Sequence, residues 1–200
     1  KMEFTGNRVE ALAGPLAEGK PGSARVLIDG ETPSSLPELY YHSRPTAAPG
    51  VWWPAIDRIG WEKPPVVESW TLKVTSYDAE SRVVKFALSG SVTGPDGEGQ
   101  SDQRFVSKSG RVVIDNDVWM IQRALEYKKI PLPEGYEVTW ETKPLFVDTY
   151  QAPEATDPSR EYAVTLAQGL SNGPHTVELI PTGDGPVPLK SLRVYEPPVK

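Results

Sequence analysis

Residues 169–198 read GLSNGPHTVELIPTGDGPVPLKSLRVYEPP, and this stretch decides the fold class. Over 176–180, Val177 and Leu179 fall on one face and Thr176, Glu178 and Ile180 on the other. Over 190–195, Leu192 and Val194 face one way and Ser191, Arg193 and Tyr195 the other. Alternation with a period of two, carried partly by β-branched residues, is the strand signal. The TGDGPVP between the runs is punctuation that no regular element tolerates, and Asn172-Gly173-Pro174 predicts a turn ahead of them. Two strands that close a β-sandwich are expected here, followed by a stop at Pro197-Pro198.

The same pattern recurs outward from that stretch. Residues 24–29 (ARVLID) predict a strand stopped by Asp29-Gly30, and 7–12 a shorter one. Residues 68–77 alternate best, with Trp70, Leu72 and Val74 on one face. After a tight turn at 78–81, residues 82–88 return with Val84, Phe86 and Leu88 aligned. That second strand is expected to run to about Thr93, with Gly94-Pro95-Asp96-Gly97 turning the chain into a third strand over 100–107. Shorter strands are expected at 111–114, 136–142, 145–150 and 160–167. Trp70 and Trp140 alternate with apolar neighbours and read as core. Over 118–129 the apolar residues Val118, Ile121, Ala124 and Leu125 recur at helical spacing. Asp115 is placed to cap a short helix near 116–129, and Lys128 and Lys129 suit its C-terminal end.

The fold class expected is therefore all-β: an antiparallel, jelly-roll-like sandwich of about ten strands with one short helix, forming a single domain over 1–200. The 21 prolines and 17 glycines, spread along 200 residues, agree with many turns. A formal net charge of −6 argues against nucleic acid or an anionic membrane as partner, and no apolar run approaches the roughly 18 residues of a membrane span. With no cysteine there is no disulfide, thiolate metal site or cysteine nucleophile. No G-x-S-x-G is present, and the two histidines, His42 and His175, fit no metal motif. His175 reads as a polar residue at the start of a strand. Catalysis is the less favoured reading, and no catalytic residue is assigned.

The functional lead is aromatic. Residues 31–65 carry seven prolines, no clear period, and Tyr40, Tyr41, His42, Trp52, Trp53 and Trp61. An irregular stretch this long is usually functional or wraps a core. Sugars present C–H faces that stack on Trp and Tyr while nearby polar groups hold hydroxyls. Trp52, Trp53 and Trp61, with Asp57 and Arg58 as hydrogen-bonding partners, are thus candidate ligand-binding residues, and His42 and Trp119 are further candidates. The alternative is that these tryptophans cover the core or dock a neighbouring domain. Asp115 and Asp117 read first as helix-start acids and second as Ca²⁺ ligands. No cofactor is assigned, and a structural Ca²⁺ elsewhere in the sandwich is left open.

The string NGPHTVELIPTGDGPVPLKSLRVYEPP resembles the closing strands of jelly-roll, galactose-binding-like modules, in which a G-x-H-x-(V/L)-x-(L/V) strand is followed by a turn and a last strand ending in V-Y-x-P. Such modules accompany bacterial carbohydrate-active enzymes and SGNH (GDSL)-type hydrolases. The middle region 109–150 is more loosely similar to accessory regions of the same proteins, and 31–65 not at all. The resemblance implies a secreted or periplasmic, non-catalytic accessory module. Its partner would be a glycan or a neighbouring catalytic domain, and the resemblance lends no catalytic residue. A structural or interaction domain without its own ligand is the alternative. A small lyase or esterase acting on glycans, using tyrosine, His42 and carboxylates, is a second one.

Overall fold

The computed structural model describes residues 1–16, 18–157 and 159–197. Among them run strands β1 (Met2–Ala13), β2 (Ser23–Ile28), β3 (Tyr40–His42), β4 (Glu68–Asp78), β5 (Val83–Gly90), β6 (Gly94–Gln100), β7 (Phe105–Val106), β8 (Val113–Ile114), β9 (Glu137–Pro144), β10 (Thr149–Gln151), β11 (Ala163–Pro181) and β12 (Leu189–Tyr195), with one helix, α1 (Ile121–Lys128). The chain is all-β as expected, with two main antiparallel sheets and one short helix, the make-up of the β-sandwich class. It divides into two compact units. One is built from the residues up to Tyr41 together with those from Pro144 on; the other is His42–Lys143.

The first unit carries the sheet β10-β2-β11-β1-β12. The two strands of the closing stretch do not pair with each other. The N-terminal strand lies between them, so that Val9 sits opposite Ala167 on one side and Val194 on the other. The faces are those expected from the alternation: Val177 is buried, and Leu179, Leu192 and Val194 pack against a core of Val9, Val26, Ile28, Tyr150 and Leu166. Gly6 is required where β1 runs close to β12, since a β-carbon there would lie 2.4 Å from the Tyr195 carbonyl oxygen.

Two expectations are corrected in this unit. Asn172-Gly173-Pro174 makes no turn; it lies inside β11, which runs unbroken across it. The reason is the direction of the peptide groups. Thr176 turns its N–H and C=O toward β2, where its N–H donates to Asp29 Oδ1 (2.6 Å) and its carbonyl accepts from the Asp29 N–H (2.9 Å). Pro174, two residues earlier, presents its nitrogen to that same side, beyond the last residue of β2, so the missing donor costs no ladder bond. The opposite edge stays paired, with Thr5 opposite Pro174. The strand expected over 145–150 shrinks to β10, because Leu145 and Val147 donate to Leu39 and Leu166 instead of entering a ladder. At the end of the chain β12 stops at Tyr195; Pro198 of the expected Pro-Pro stop lies outside the described residues.

The second unit carries strands β9-β4-β5-β6, hydrogen-bonded in that order, the last residue of β3, His42, and the small pair β7-β8. Its core is aromatic. Trp70 and Trp140 sit opposite each other on β4 and β9, nearly parallel at 16° with centroids 6.3 Å apart, and Phe86, Phe105 and Trp119 fill the space toward α1. The expected meander β4-β5-β6 is present, but its second turn is displaced. Residues 91–93 make the turn, and Gly94-Pro95-Asp96-Gly97 opens β6. A distant side chain sets this. The buried Glu68 carboxylate accepts from the Val92 N–H (3.0 Å), the Thr93 N–H (2.9 Å) and the Thr93 hydroxyl (2.6 Å). Charge-assisted bonds of this kind outweigh a local dipeptide preference. Pro95 is tolerated because β6 is the last strand of the sheet.

The helix is also shorter than expected. Residues 118–120 pair with 55–57 through bonds from the Asp57 N–H to the Val118 carbonyl and from the Met120 N–H to the Ala55 carbonyl, both 2.9 Å. This extended pairing holds the start of α1 at Ile121, where no side chain caps it. Asp115 therefore caps nothing; it accepts from Arg104 Nε at 3.1 Å. Asp117 is exposed.

Replacing Glu68 by Gln keeps the shape and puts an amide group against backbone donors. The variant should lose about 1–3 kcal/mol of stability in urea unfolding. A loss too small to resolve would show that the 91–93 turn does not depend on this carboxylate.

Candidate functional site

Within the second unit, the irregular segment 43–65 is pinned at three points. Ala47 bridges to Pro54, Ile56 to Trp119, and Gly60 to Val113. The first bridge closes a loop that carries Pro49, Gly50, Val51, Trp52 and Trp53. The second ties the segment after that loop to the residues just ahead of α1, and the loop itself meets the far end of the helix where Trp53 packs on Tyr127. Together they line an open cavity of about 570 Å³ bounded by Ala47–Trp53 on one side and by Tyr127 and Lys128 on the other. Gly50 has φ +72 and comes so close to Lys128 and Ile130 that a β-carbon would crowd both.

The cavity is an aromatic surface. Trp52 is 78% exposed and Tyr127 68%, unusual for rings of this size, while Trp53 is half-buried between them. Trp52 and Trp53 meet edge to face at 6.4 Å and 72°, and Trp53 and Tyr127 are tilted by 51° at 5.8 Å. The rings form inclined walls, not one coplanar platform. Arg44 lies with its guanidinium carbon 6.0 Å from the Trp52 ring and donates to the Trp52 carbonyl. Lys128 Nζ lies 5.4 Å from the Tyr127 ring.

Of the sequence-derived candidates, Trp52 and Trp53 line this cavity and the others do not. Asp57 and Arg58 are exposed beyond it. Trp61 packs at 80° against His42, centroids 5.3 Å apart. Trp119 is buried against Phe86 as part of the core. Tyr127 was not singled out by sequence, yet a signal was there: it lies off the Ile121, Ala124, Leu125 stripe, an aromatic ring on the polar face of an amphipathic helix. Among the described residues no group of three or more His, Asp or Glu side chains is arranged to hold a metal, so Asp115 and Asp117 gather no third ligand.

Both histidines are committed to structure. In the second unit, burial pushes His42 down to about 4, against the pull of the Arg111 and Gly60 backbone and the Glu68 charge, so its ring is neutral at pH 7. Trp70 Nε1 donates to Thr142 Oγ1 (3.0 Å), which leaves the Thr142 hydroxyl to donate to His42 Nδ1 (2.9 Å). The hydrogen bond that an acid–base site would need from His42 to a carboxylate is thus replaced by one to a hydroxyl.

In the first unit, His175 lies between Asp29 Oδ2 (2.7 Å from Nδ1) and the Ser171 carbonyl (2.8 Å from Nε2), with Ser171 Oγ at 3.3 Å. Serine, histidine and aspartate in a row suggest a hydrolase triad, but the base of a triad needs a free lone pair on the nitrogen facing the serine. Here that nitrogen faces a carbonyl, which only an N–H satisfies. Both ring nitrogens donate, and the imidazolium is the form that fits. Burial opposes the charge, but the Asp29 and Ser171 bonds hold His175 above its ordinary value; Asp29, despite its own burial, is held below its ordinary value by His175 and Thr176. The pair ties the 28–31 turn, where Asp29 has φ +52, to β11.

The sign of the linkage follows. A raised histidine value contributes stability fully below the ordinary 6.5 and loses it as pH rises through the folded-state value. A lowered aspartate value contributes above 3.8 and loses it as pH falls through its own. The stability difference between the wild type and His175→Gln should be largest near pH 5 and shrink by pH 9 in urea unfolding. An equal difference at both would remove the charged pair from this account.

Comparison of the chain with protein-family models, with curated proteins and with solved structures finds no match in any of the three.

Proposed function

We propose that this chain is a non-catalytic carbohydrate-binding module, and that the surface formed by Trp52, Trp53 and Tyr127 receives the glycan. The observation that carries this reading is the exposure of two large rings beside a third in an open cavity. A folded chain leaves such rings in water at a cost of about 25 cal/mol per Å² of apolar area, and a sugar's C–H face recovers part of it on stacking. The inclined rings suit a bent or branched chain better than a flat crystalline face. An accessory role beside a catalytic domain, secreted or periplasmic, follows from the resemblance of the closing strands alone and belongs to the same proposal.

The second reading is a docking surface for a partner protein. It is favoured by the aliphatic Ile130, 38% exposed, beside Gly50 at the cavity. An enzyme acting through His42 is less favoured, since that ring is neutral and bonded to Thr142.

Affinity electrophoresis against a panel of soluble polysaccharides tests the proposal. At least one polysaccharide should retard the wild type, and Trp52→Ala and Tyr127→Ala should each weaken that retardation about tenfold, or about 1.4 kcal/mol. Both side chains are exposed, so the unfolding free energy should stay within about 0.5 kcal/mol of wild type. Retardation by no polysaccharide, or retardation unchanged in both variants, would sink the proposal.

A further inference from the structure

Charge around the cavity is one-sided. Residues 47–53, which supply one wall, lie within the stretch 42–56, which contains a single Arg, Arg44, beside the wall, and no acid; residues 127–133, on the other side, contain Lys128 and Lys129 and no acid. In sequence the two stretches are flanked by Asp57, Glu126 and Glu134, none of which lines the cavity; Glu126 is engaged by Arg82 at 3.1 Å and Asp57 is exposed beyond the cavity. Arg44 and Lys128 each lie beside an exposed ring, so a ligand stacked on Trp52 or Tyr127 lies within reach of a cation. Among the described residues no carboxylate lines the cavity. The chain as a whole carries −6, so this local excess of cations is hidden in its net charge.

Resting on the glycan-binding reading, we propose that the ligand is an acidic polysaccharide, its carboxylate or sulfate groups held by Arg44 and Lys128 while its sugar rings stack on Trp52 and Tyr127. A neutral sugar would use the two cations only as hydrogen-bond donors, whereas an anion would also gain from their charge. An anion also meets an opposing field, because the C-terminal end of α1 at Lys128 carries the negative end of the helix dipole. Lys128 and Lys129 oppose that field, and a polyanion with several acidic groups engages both walls at once. Single-stranded nucleic acid shares the chemistry of stacking rings and anions, but it calls for a continuous basic track, which three cations in a chain of net charge −6 do not make.

The test compares retardation of the wild type, Lys128→Gln and Lys128→Glu in gels containing polygalacturonate, dextran sulfate or neutral dextran and galactan, at 50 and 500 mM NaCl, with oligo(dT) as a separate competitor. Polygalacturonate or dextran sulfate should retard the wild type, and which of the two does so tells carboxylate from sulfate. Affinity should fall about tenfold or more between the two salt concentrations, as expected of exposed charges, and by a similar factor in Lys128→Glu, with Lys128→Gln between. Retardation by a neutral polysaccharide alone, independent of salt, would overturn this inference and leave the glycan-binding reading standing. Retardation by none of the polysaccharides would overturn both. Tighter binding of oligo(dT) than of either polyanion would replace the polysaccharide with a nucleic acid.

Discussion

Two backbone hydrogen bonds, Asp57 N–H to Val118 C=O and Met120 N–H to Ala55 C=O, fix more of the second unit than their number suggests. They join an irregular, proline-rich segment to the residues just ahead of the helix. Ile56 and Trp119 are thereby buried, which anchors the segment in the aromatic core through apolar contact. They also delay the start of the helix to Ile121, while its end falls at Lys129, left-handed at φ +54, with Pro131 beyond. Had the helix begun at 116 under an Asp115 cap, its face would be set by that cap. As it is, the buried stripe Ile121, Ala124, Leu125 points inward and Tyr127 outward. The bridge holds the segment behind the Trp52 loop, and the contact of Trp53 with Tyr127 and the approach of Gly50 to Lys128 hold the loop against the helix end at the cavity.

Strand faces were legible in the sequence because alternation is a local property. Trp70, Leu72, Val84, Phe86, Val138, Trp140 and Val177 all point where their parity put them. The Asp29-Gly30 turn was legible for the same reason: two adjacent residues with positive φ make it. What escaped were features set by partners far along the chain. The Glu68 carboxylate, 24 residues before Val92, overrode the Gly94–Gly97 signal. The insertion of β1 between β11 and β12 is a long-range pairing that periodicity does not encode. Pro174 misled because the side of the strand its nitrogen faces depends on where β2 ends.

Half of the candidate site was legible in the same way. Trp52 and Trp53 stood out as adjacent rings in a loop without period. Trp61 shared the loop, but three bridges divide that loop into separate stretches, and Trp61 falls beside His42. Tyr127 comes from another element, and only the fold brings it to Trp53. The stretch that resembles accessory modules lies in the first unit, whereas the exposed aromatic surface lies in the second, whose residues interrupt the first along the chain. A resemblance carried by closing strands therefore describes a scaffold. The ligand is decided by a segment that the resemblance does not cover.

The titratable groups divide along the same line. Against its burial, the bonds to Asp29 and the Ser171 carbonyl favour the charged form of His175, and burial holds His42 neutral. The two rings shift in opposite directions because His175, part-exposed, lies against a carboxylate, whereas His42 is buried deeply enough that desolvation outweighs the backbone of Arg111 and Gly60. In both, the nitrogens serve to tie a turn or a strand end to its neighbour: the 28–31 turn to β11, and the end of β3 to β9 through Thr142. Arg44 and Lys128 differ in kind. Arg44 spends one bond on a backbone carbonyl and rests over the Trp52 ring beside the cavity, and Lys128, which lines it, rests over the Tyr127 ring; both are exposed. Stacking on exposed rings would select for a sugar; the two cations would select among sugars by charge, and that second selection is the one salt can weaken.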